Sequence, residues 1–268
     1  MNVHEIYERK SRFQTLFNGD YSDFAYETRF ISPTIRLLEN KGVEVPEGFL
    51  DQLHLLLSPE LRKYNFDDGV NAVSALMYEQ DEYFITVYHA FIKEIREYFP
   101  PFYFQATPTI RIQCPGENNN HYPRWHTDIA YGHSPNEINI WIPLTAPQIP
   151  QGHGFSIRSV FNSNAALWVY NYDFEKFIKN AIENKAYSNA LFKDSISVQT
   201  MRGKFFAFDS RCIHTSAPLL NHTRVSIDIR IIPIEDFKAQ KTVYQGTGRR
   251  KIRYIPGEGY YPLSSEEL

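Results

Sequence analysis

No stretch of this sequence approaches the ~20 consecutive apolar residues that cross a bilayer as a helix. Cysteine is scarce: Cys114 and Cys212 are the two in the chain, and neither sits in a C-x-x-C pair. That excludes a disulfide framework and leaves two small buried hydrophobes in a reducing compartment as the expectation. An excess of one charge is lacking too. Lys and Arg number 28 against 31 Asp and Glu, a formal net charge of −3, so bulk electrostatics gives no case for nucleic acid as a partner. Internal repeats, low-complexity tracts and Pro/Gly/Ser-rich linkers are all missing, so one domain over 1–268 is expected. The opening "MNVHEIYERKSRF" is polar and charged, without the apolar core of a signal peptide. A cytoplasmic protein with no membrane partner is the expectation.

What is present is an ordinary globular composition, 43% hydrophobic and 22% charged, with 20 Phe and 18 Tyr. A chain of 268 residues can bury a sizeable core, and aromatics fill cores and line pockets alike. Residues 1–100 read as mostly helical. "EGFLDQLHLLL" predicts a short helix, and Ser58 then Pro59 mark the cap and first turn of another. From Asn71 to Phe99 apolar residues recur with helical spacing at Val73, Leu76, Met77, Phe84, Tyr88, Phe91, Ile92, Ile95 and Phe99, a core-facing stripe ended by Pro100 and Pro101.

Over 101–235 the period changes to two. "TIRIQC", "EINIWIPL", "KFFAFD" and "TRVSIDIRIIP" alternate apolar and polar residues, and short strands between turns predict a sandwich or barrel. One inserted helix is expected near 172–187, and 236–268 reads as a C-terminal arm. In "TRVSIDIRI", Val225, Ile227, Ile229 and Ile231 share one face, while Arg224, Ser226, Asp228 and Arg230 share the other.

Against that pattern His126 and Asp128 stand out, two residues apart just ahead of a strand. On extended chain both side chains point the same way and can share one ion. A third ligand makes a facial set with three open positions, the 2-His-1-carboxylate arrangement of non-haem Fe(II) oxygenases, in which a 2-oxo acid takes two positions and O2 the third. About 85 residues further on, His214 ends an apolar strand, and Arg224 opens the next, where it can form a bidentate pair with a distal carboxylate.

The stretches "HTDIAYGHSPNEINIWIPLT", "IHTSAPLLNHTRVSIDIRII" and "IPGEGYYP" resemble the Fe(II)/2-oxoglutarate-dependent dioxygenases. The likeness lies in the phytanoyl-CoA-hydroxylase-like branch and, within it, the streptomycin-biosynthesis type. It spans roughly Thr107 to Pro262 and is more specific for the superfamily than for the branch. It implies a mainly β fold, a double-stranded β-helix or jelly-roll core behind a helical N-terminal region. It also implies Fe(II) on His126, Asp128 and His214, with 2-oxoglutarate and O2 as co-substrates. Arg224 is the implied anchor of the far carboxylate, with Arg230 as second candidate. Asn139 and Trp141, Arg111 and Gln113, and Ser226 share the face toward the metal and are candidates for contact with co-substrate or substrate. Tyr131 and His133 are candidates for substrate contact from a loop over the site. The intact Asp128 argues against halogenation, because related halogenases carry a small residue there. The implied substrate is a small polar molecule: a sugar, an aminocyclitol or an amino-acid derivative.

Other features read more plainly. "GENNNHYP" is a turn-rich loop with the makings of a lid. His153 in "QIPQGHGFSIRS" departs from the family's usual turn. The basic run in "GTGRRKIRYIP" is expected as a solvated arm, and His89 as a packed helix residue. Two rival functions remain open at this level. One is a cupin-like metal-dependent binding protein, which has no need of Arg224. The other is a zinc-dependent hydrolase or isomerase, for which Glu137 is the one nearby candidate base.

Overall fold

The computed structural model describes residues 3–46, 48–65, 70–115, 125–145, 155–216, 221–239, 254–255, 258–259 and 261–268. The loop expected as a lid, the turn carrying His153 and the basic run lie outside these residues. The chain opens with helices α1 (Val3–Glu8) and α2 (Arg12–Phe17), strand β1 (Tyr21–Ala25) and helix α3 (Ile31–Asn40). A 3₁₀ turn over Leu50–Leu55 follows, then α4 (Pro59–Arg62), the short pair β2 (Tyr64–Asn65) and β3 (Val70–Asn71), α5 (Ala72–Leu76) and α6 (Glu82–Ile95).

Ser58 caps α4 as expected, accepting from the Leu61 N–H with Pro59 in the first turn. Two expectations need correction. The helix expected from Asn71 to Phe99 is broken in two, because the Asp81 side chain accepts from the Phe84 N–H and caps a fresh start. Leu76, at the end of α5, is exposed, whereas Val73, Met77, Phe84, Tyr88, Phe91, Ile92, Ile95 and Phe99 are buried. The segment "EGFLDQLHLLL" holds the 3₁₀ turn rather than an α-helix, kinked at Gln52, with Leu55 and Leu56 exposed. His89 packs its ring against Phe104 and Tyr88.

The second half supplies β4 (Phe102–Phe104), β5 (Thr109–Gln113), β6 (Ile138–Pro143) and β7 (Phe155–Ile157). Three helices follow, α7 (Val160–Trp168), α8 (Phe174–Glu183) and α9 (Lys185–Lys193), where one was expected. Asn184 divides the last two: it ends α8 and accepts from the Tyr187 N–H to begin α9. Then come β8 (Ile196–Ser197), β9 (Lys204–Asp209), β10 (His214–Ser216), β11 (Arg224–Pro233), α10 (Ile234–Ala239), β12 (Tyr254–Ile255), β13 (Glu258–Gly259) and β14 (Leu263–Ser264).

These strands build a double-stranded β-helix. The large sheet runs β1-β9-β6-β11-β4-β14, with β5 also paired to β11, and the small sheet runs β10-β7-β8. The large sheet therefore borrows β1 from the helical N-terminal part and β14 from the C-terminal arm. Every pairing in both sheets is antiparallel.

Register and alternation give the large sheet two different faces. Ile227 pairs with Ile110 and Ile142, and Ile229 with Ile140. This outer face carries Val225, Ile227, Ile229 and Ile231, and it packs in one core with Phe13, Leu37, Phe84, Phe91 and Ile95 of the helices. The inner face pairs Asp228 with Trp141 and Trp141 with Phe206, then Arg230 with Asn139 and Asn139 with Phe208. Trp141 stacks on Phe155 of the small sheet, ring centroids 5.3 Å apart, and closes the sheets on each other. None of the helices among the described residues is long and apolar enough to cross a membrane.

Candidate metal centre

His126 and His214 arrive from distant parts of the chain and meet as a reciprocal backbone pair. The His126 N–H donates to the His214 carbonyl at 3.0 Å, and the His214 N–H donates to the His126 carbonyl at 2.8 Å. Residues paired in this way on neighbouring strands project their side chains to the same side, and the two imidazole centroids lie 4.3 Å apart. Thr127 keeps the chain extended, and its hydroxyl donates to the Ser210 carbonyl at 2.8 Å. Asp128 then opens a 3₁₀ turn, Asp128–Tyr131, instead of continuing the extended chain. The two-residue spacing still brings both side chains to one side.

One atom from each of His126, Asp128 and His214 lies within 4.8 Å of the other two. Asp128 Oδ1 is 3.8 Å from His126 Nε2 and 3.6 Å from His214 Nε2. Two ligands held ~2.1 Å from one ion at a right angle lie ~3 Å apart, so Asp128 needs to close on each histidine by less than ~1 Å. His214 Nδ1 lies 3.0 Å from the Cys212 carbonyl. An N–H donated there turns the Nε2 lone pair toward Asp128.

Charge suits the same role. Burial opposes ionisation of Asp128. Arg230, followed by His214, His133 and His126, nevertheless holds its carboxyl well below the usual carboxylate range. Burial also lowers the His214 imidazole, outweighing the pull of Asp128, and so favours the neutral ligand form.

The remaining site candidates fall in three places. Arg224 is buried at the start of β11, opposite Gln113 in the ladder. Arg111 pairs with Asp228, and Ser226 Oγ lies 3.5 Å from that same carboxylate. Asn139 is buried on the inner face with neither amide atom hydrogen-bonded, and Gln113 Oε1 is likewise unpaired. Tyr131 sets its ring edge-on to His126, centroids 5.2 Å apart.

His133 and Arg230 have partners that the sequence does not name. Gly132, at φ 88°, ends the 3₁₀ turn in the left-handed region and sends the chain inward. His133 is buried as a result, its Nδ1 2.9 Å from Glu137 Oε2, and not spread on a surface loop. Arg230 places Nε 2.9 Å and Nη2 2.8 Å from Asp128 Oδ2. Glu137, weighed as a base or surface strand residue, is fully buried and engaged by His133 and the Ser134 N–H.

Sequence reasoning missed Phe155 and Phe208, whose rings lie 5.7 and 5.1 Å from His214. The alternation in "KFFAFD" placed Phe206 and Phe208 on one face but carried no sign that this face looks toward a histidine.

No protein-family model matches the chain. A 43-residue stretch is 42% identical to the streptomycin biosynthesis protein StrG of Streptomyces griseus, covering 16% of this chain and 21% of that one. The solved structure of EvdMO1 superposes with a TM-score of 0.51 at 14% identity, over 82% of this chain and 49% of that one. SnoK, described as a non-haem α-ketoglutarate-dependent carbocyclase from nogalamycin biosynthesis, superposes with a TM-score of 0.41 at 13% identity, over 85% of each chain. The chain thus shares its fold with EvdMO1 while the match spans about half of that protein's length, and about a fifth of StrG's.

Proposed function

We propose that this protein is a non-haem Fe(II)/2-oxoglutarate-dependent oxygenase that hydroxylates a small polar substrate. The observation that carries this reading is the set of His126, Asp128 and His214 inside a β-helix, with Asp128 and His214 buried and His126 half-buried, and with Arg224 on the same sheet face as the Arg230 that touches the set. Two imidazoles and one carboxylate are the donor set that suits Fe(II) and leaves positions open. Iron and the keto acid, when bound, supply the oxidation: O2 is consumed, the keto acid becomes succinate and CO2, and a substrate C–H becomes C–OH.

The chain's own residues do the rest. His126, Asp128 and His214 hold the metal. Arg224 anchors the far carboxylate of the co-substrate through its planar fork. Asn139, with its amide unpaired, offers a donor and an acceptor to co-substrate or substrate. Trp141, Phe155 and Phe208 line the inner face beside His214 and keep bulk water from it. A polar substrate fits Asn139, Gln113 and the Arg111–Asp228 pair better than an apolar one does.

The hydrolase reading is weaker because Glu137, its one candidate base, is committed to His133 and Ser134. The binding-protein reading has no need of a carboxylate anchor at Arg224.

Anaerobic titration of Fe(II) and 2-oxoglutarate into the apoprotein tests the proposal through the visible charge-transfer band of the chelate. Wild type should show the band, and Arg224→Ala should need about 10- to 100-fold more co-substrate, the worth of a charged hydrogen-bonded pair. A wild type without the band overturns the oxygenase reading. An Arg224→Ala protein indistinguishable from wild type moves the anchor elsewhere on the inner face.

A further inference from the structure

Asp128 has two oxygens with different neighbours. Oδ1 faces the two histidine Nε2 atoms at 3.8 and 3.6 Å. Oδ2 faces Arg230, whose Nε and Nη2 both converge on it at 2.9 and 2.8 Å. Arg230 is held in turn: its Nε lies 3.9 Å from Glu137 Oε2. That same oxygen is 2.9 Å from His133 Nδ1, and Glu137 Oε1 accepts the Ser134 N–H at 3.1 Å. The side chains of Asp128, Glu137 and His133 are 4%, 0% and 6% exposed, and that of Arg230 is 15% exposed. The chain of contacts is therefore shielded from water and bound to one geometry.

We infer that Arg230 is a positioning residue for Asp128, steered by Glu137 and His133, and that it restricts the carboxylate to a single metal-binding oxygen. This rests on the oxygenase reading above and adds a device to it. A carboxylate with both oxygens unoccupied can bind a metal through one or through both. Binding through both takes a fourth coordination position and leaves two. Arg230 occupies Oδ2, keeps the protein's share at three, and leaves three positions for co-substrate and O2.

The arrangement also separates the two arginines of β11. An Arg230 that anchored the co-substrate would have to abandon a buried carboxylate, leaving Asp128 without its nearest cation. Arg224 lies at the start of the strand, beside Gln113 in the ladder. Glu137 has a clear purpose in this arrangement. It is a second buried carboxylate near the Arg230 Nε that also meets Asp128, and it helps to fix the guanidinium in place.

Co(II) is a suitable probe, since the shape and intensity of its visible bands report coordination number without any turnover. Wild type, Arg230→Gln, Arg230→Lys and Glu137→Gln proteins, each checked for a cooperative melt, are titrated with Co(II) and then with 2-oxoglutarate. Wild type should give the weak bands of a six-coordinate ion. Arg230→Gln should give an altered spectrum and bind Co(II) about 10- to 100-fold more weakly, the usual scale for losing a residue that orients a metal ligand. Its requirement for 2-oxoglutarate on the loaded protein should change less than threefold. Arg230→Lys should restore part of the wild-type spectrum, and Glu137→Gln should shift it less, in the direction of Arg230→Gln.

An Arg230→Gln protein with the wild-type Co(II) spectrum and affinity overturns this inference alone. So does one that keeps the spectrum but loses 2-oxoglutarate, because Arg230 is then the anchor. A wild type that takes up no metal overturns the oxygenase reading and this inference with it.

Discussion

Asn139 carries a cost that the proposed function accounts for as a binding contact. A buried amide without partners loses its hydrogen bonds to water and gains none, at ~1–3 kcal/mol. Asn139→Leu removes that cost at similar volume. The expected outcome is a gain of about 1 kcal/mol, a rise in Tm of ~2–4 °C for a chain of this size, together with weaker use of co-substrate or substrate. Differential scanning fluorimetry beside a succinate-release assay checks both halves. A lower Tm would mean that the protein itself already satisfies the amide. Gly132 makes a related point about single residues, since its left-handed turn is what sends His133 inward toward Glu137.

Among the elements, β11 does the most work, carrying the apolar outer face and the charged inner face on alternate residues. Ile227 is fully buried on the outer face between β5 and β6. Truncation to Ala should cost about 2–5 kcal/mol, read as a lower urea midpoint at unchanged slope. A loss under ~1 kcal/mol would mean that this face packs loosely. The strand and its two faces were legible in the sequence, because a period of two allows only two faces. The His126, Asp128 and His214 set was legible from the spacing of its residues, although His214 opens β10 instead of ending an apolar strand, and Asp128 opens a 3₁₀ turn. The partner of Arg230 was not legible. Alternation assigns Arg224 and Arg230 to one face but says nothing of which carboxylate waits opposite each. The break between α5 and α6 was hidden too, because the apolar stripe runs through it and only the cap at Asp81 marks the new start.

For the molecule as a whole, the N-terminal helices are tied to the site by a buried ion pair. Arg211 is 1% exposed. Its Nε and Nη2 meet the two Asp209 oxygens at 2.9 and 2.8 Å, and its Nη1 donates to the Ile6 and Arg9 carbonyls. Ser11 also donates to Asp209, and the Tyr7 hydroxyl donates to the Arg211 carbonyl. Nothing in the residue pattern of "FDSRC" announced this knot, since its partners Ile6, Tyr7, Arg9 and Ser11 lie about two hundred positions away, in α1 and the link to α2. Asp209→Ala leaves a buried guanidinium without its counter-charge and should cost about 3–5 kcal/mol. Hydrogen exchange should then quicken first in α1 and α2. Uniform loosening everywhere would show that the pair serves the barrel at large rather than the docking of the N-terminal segment.

The backbone clasp between His126 and His214 has a consequence for the order of assembly. A growing chain delivers His126 long before His214, with the three helices of the α7–α9 region in between. Neither imidazole can share an ion with the other until the strand carrying His214 has zipped onto the barrel. Under the proposed function, iron capture is then a late event that follows closure of the fold. A nascent or partly opened chain would then keep no redox-active metal at this site, and a bound metal would certify that the barrel is shut.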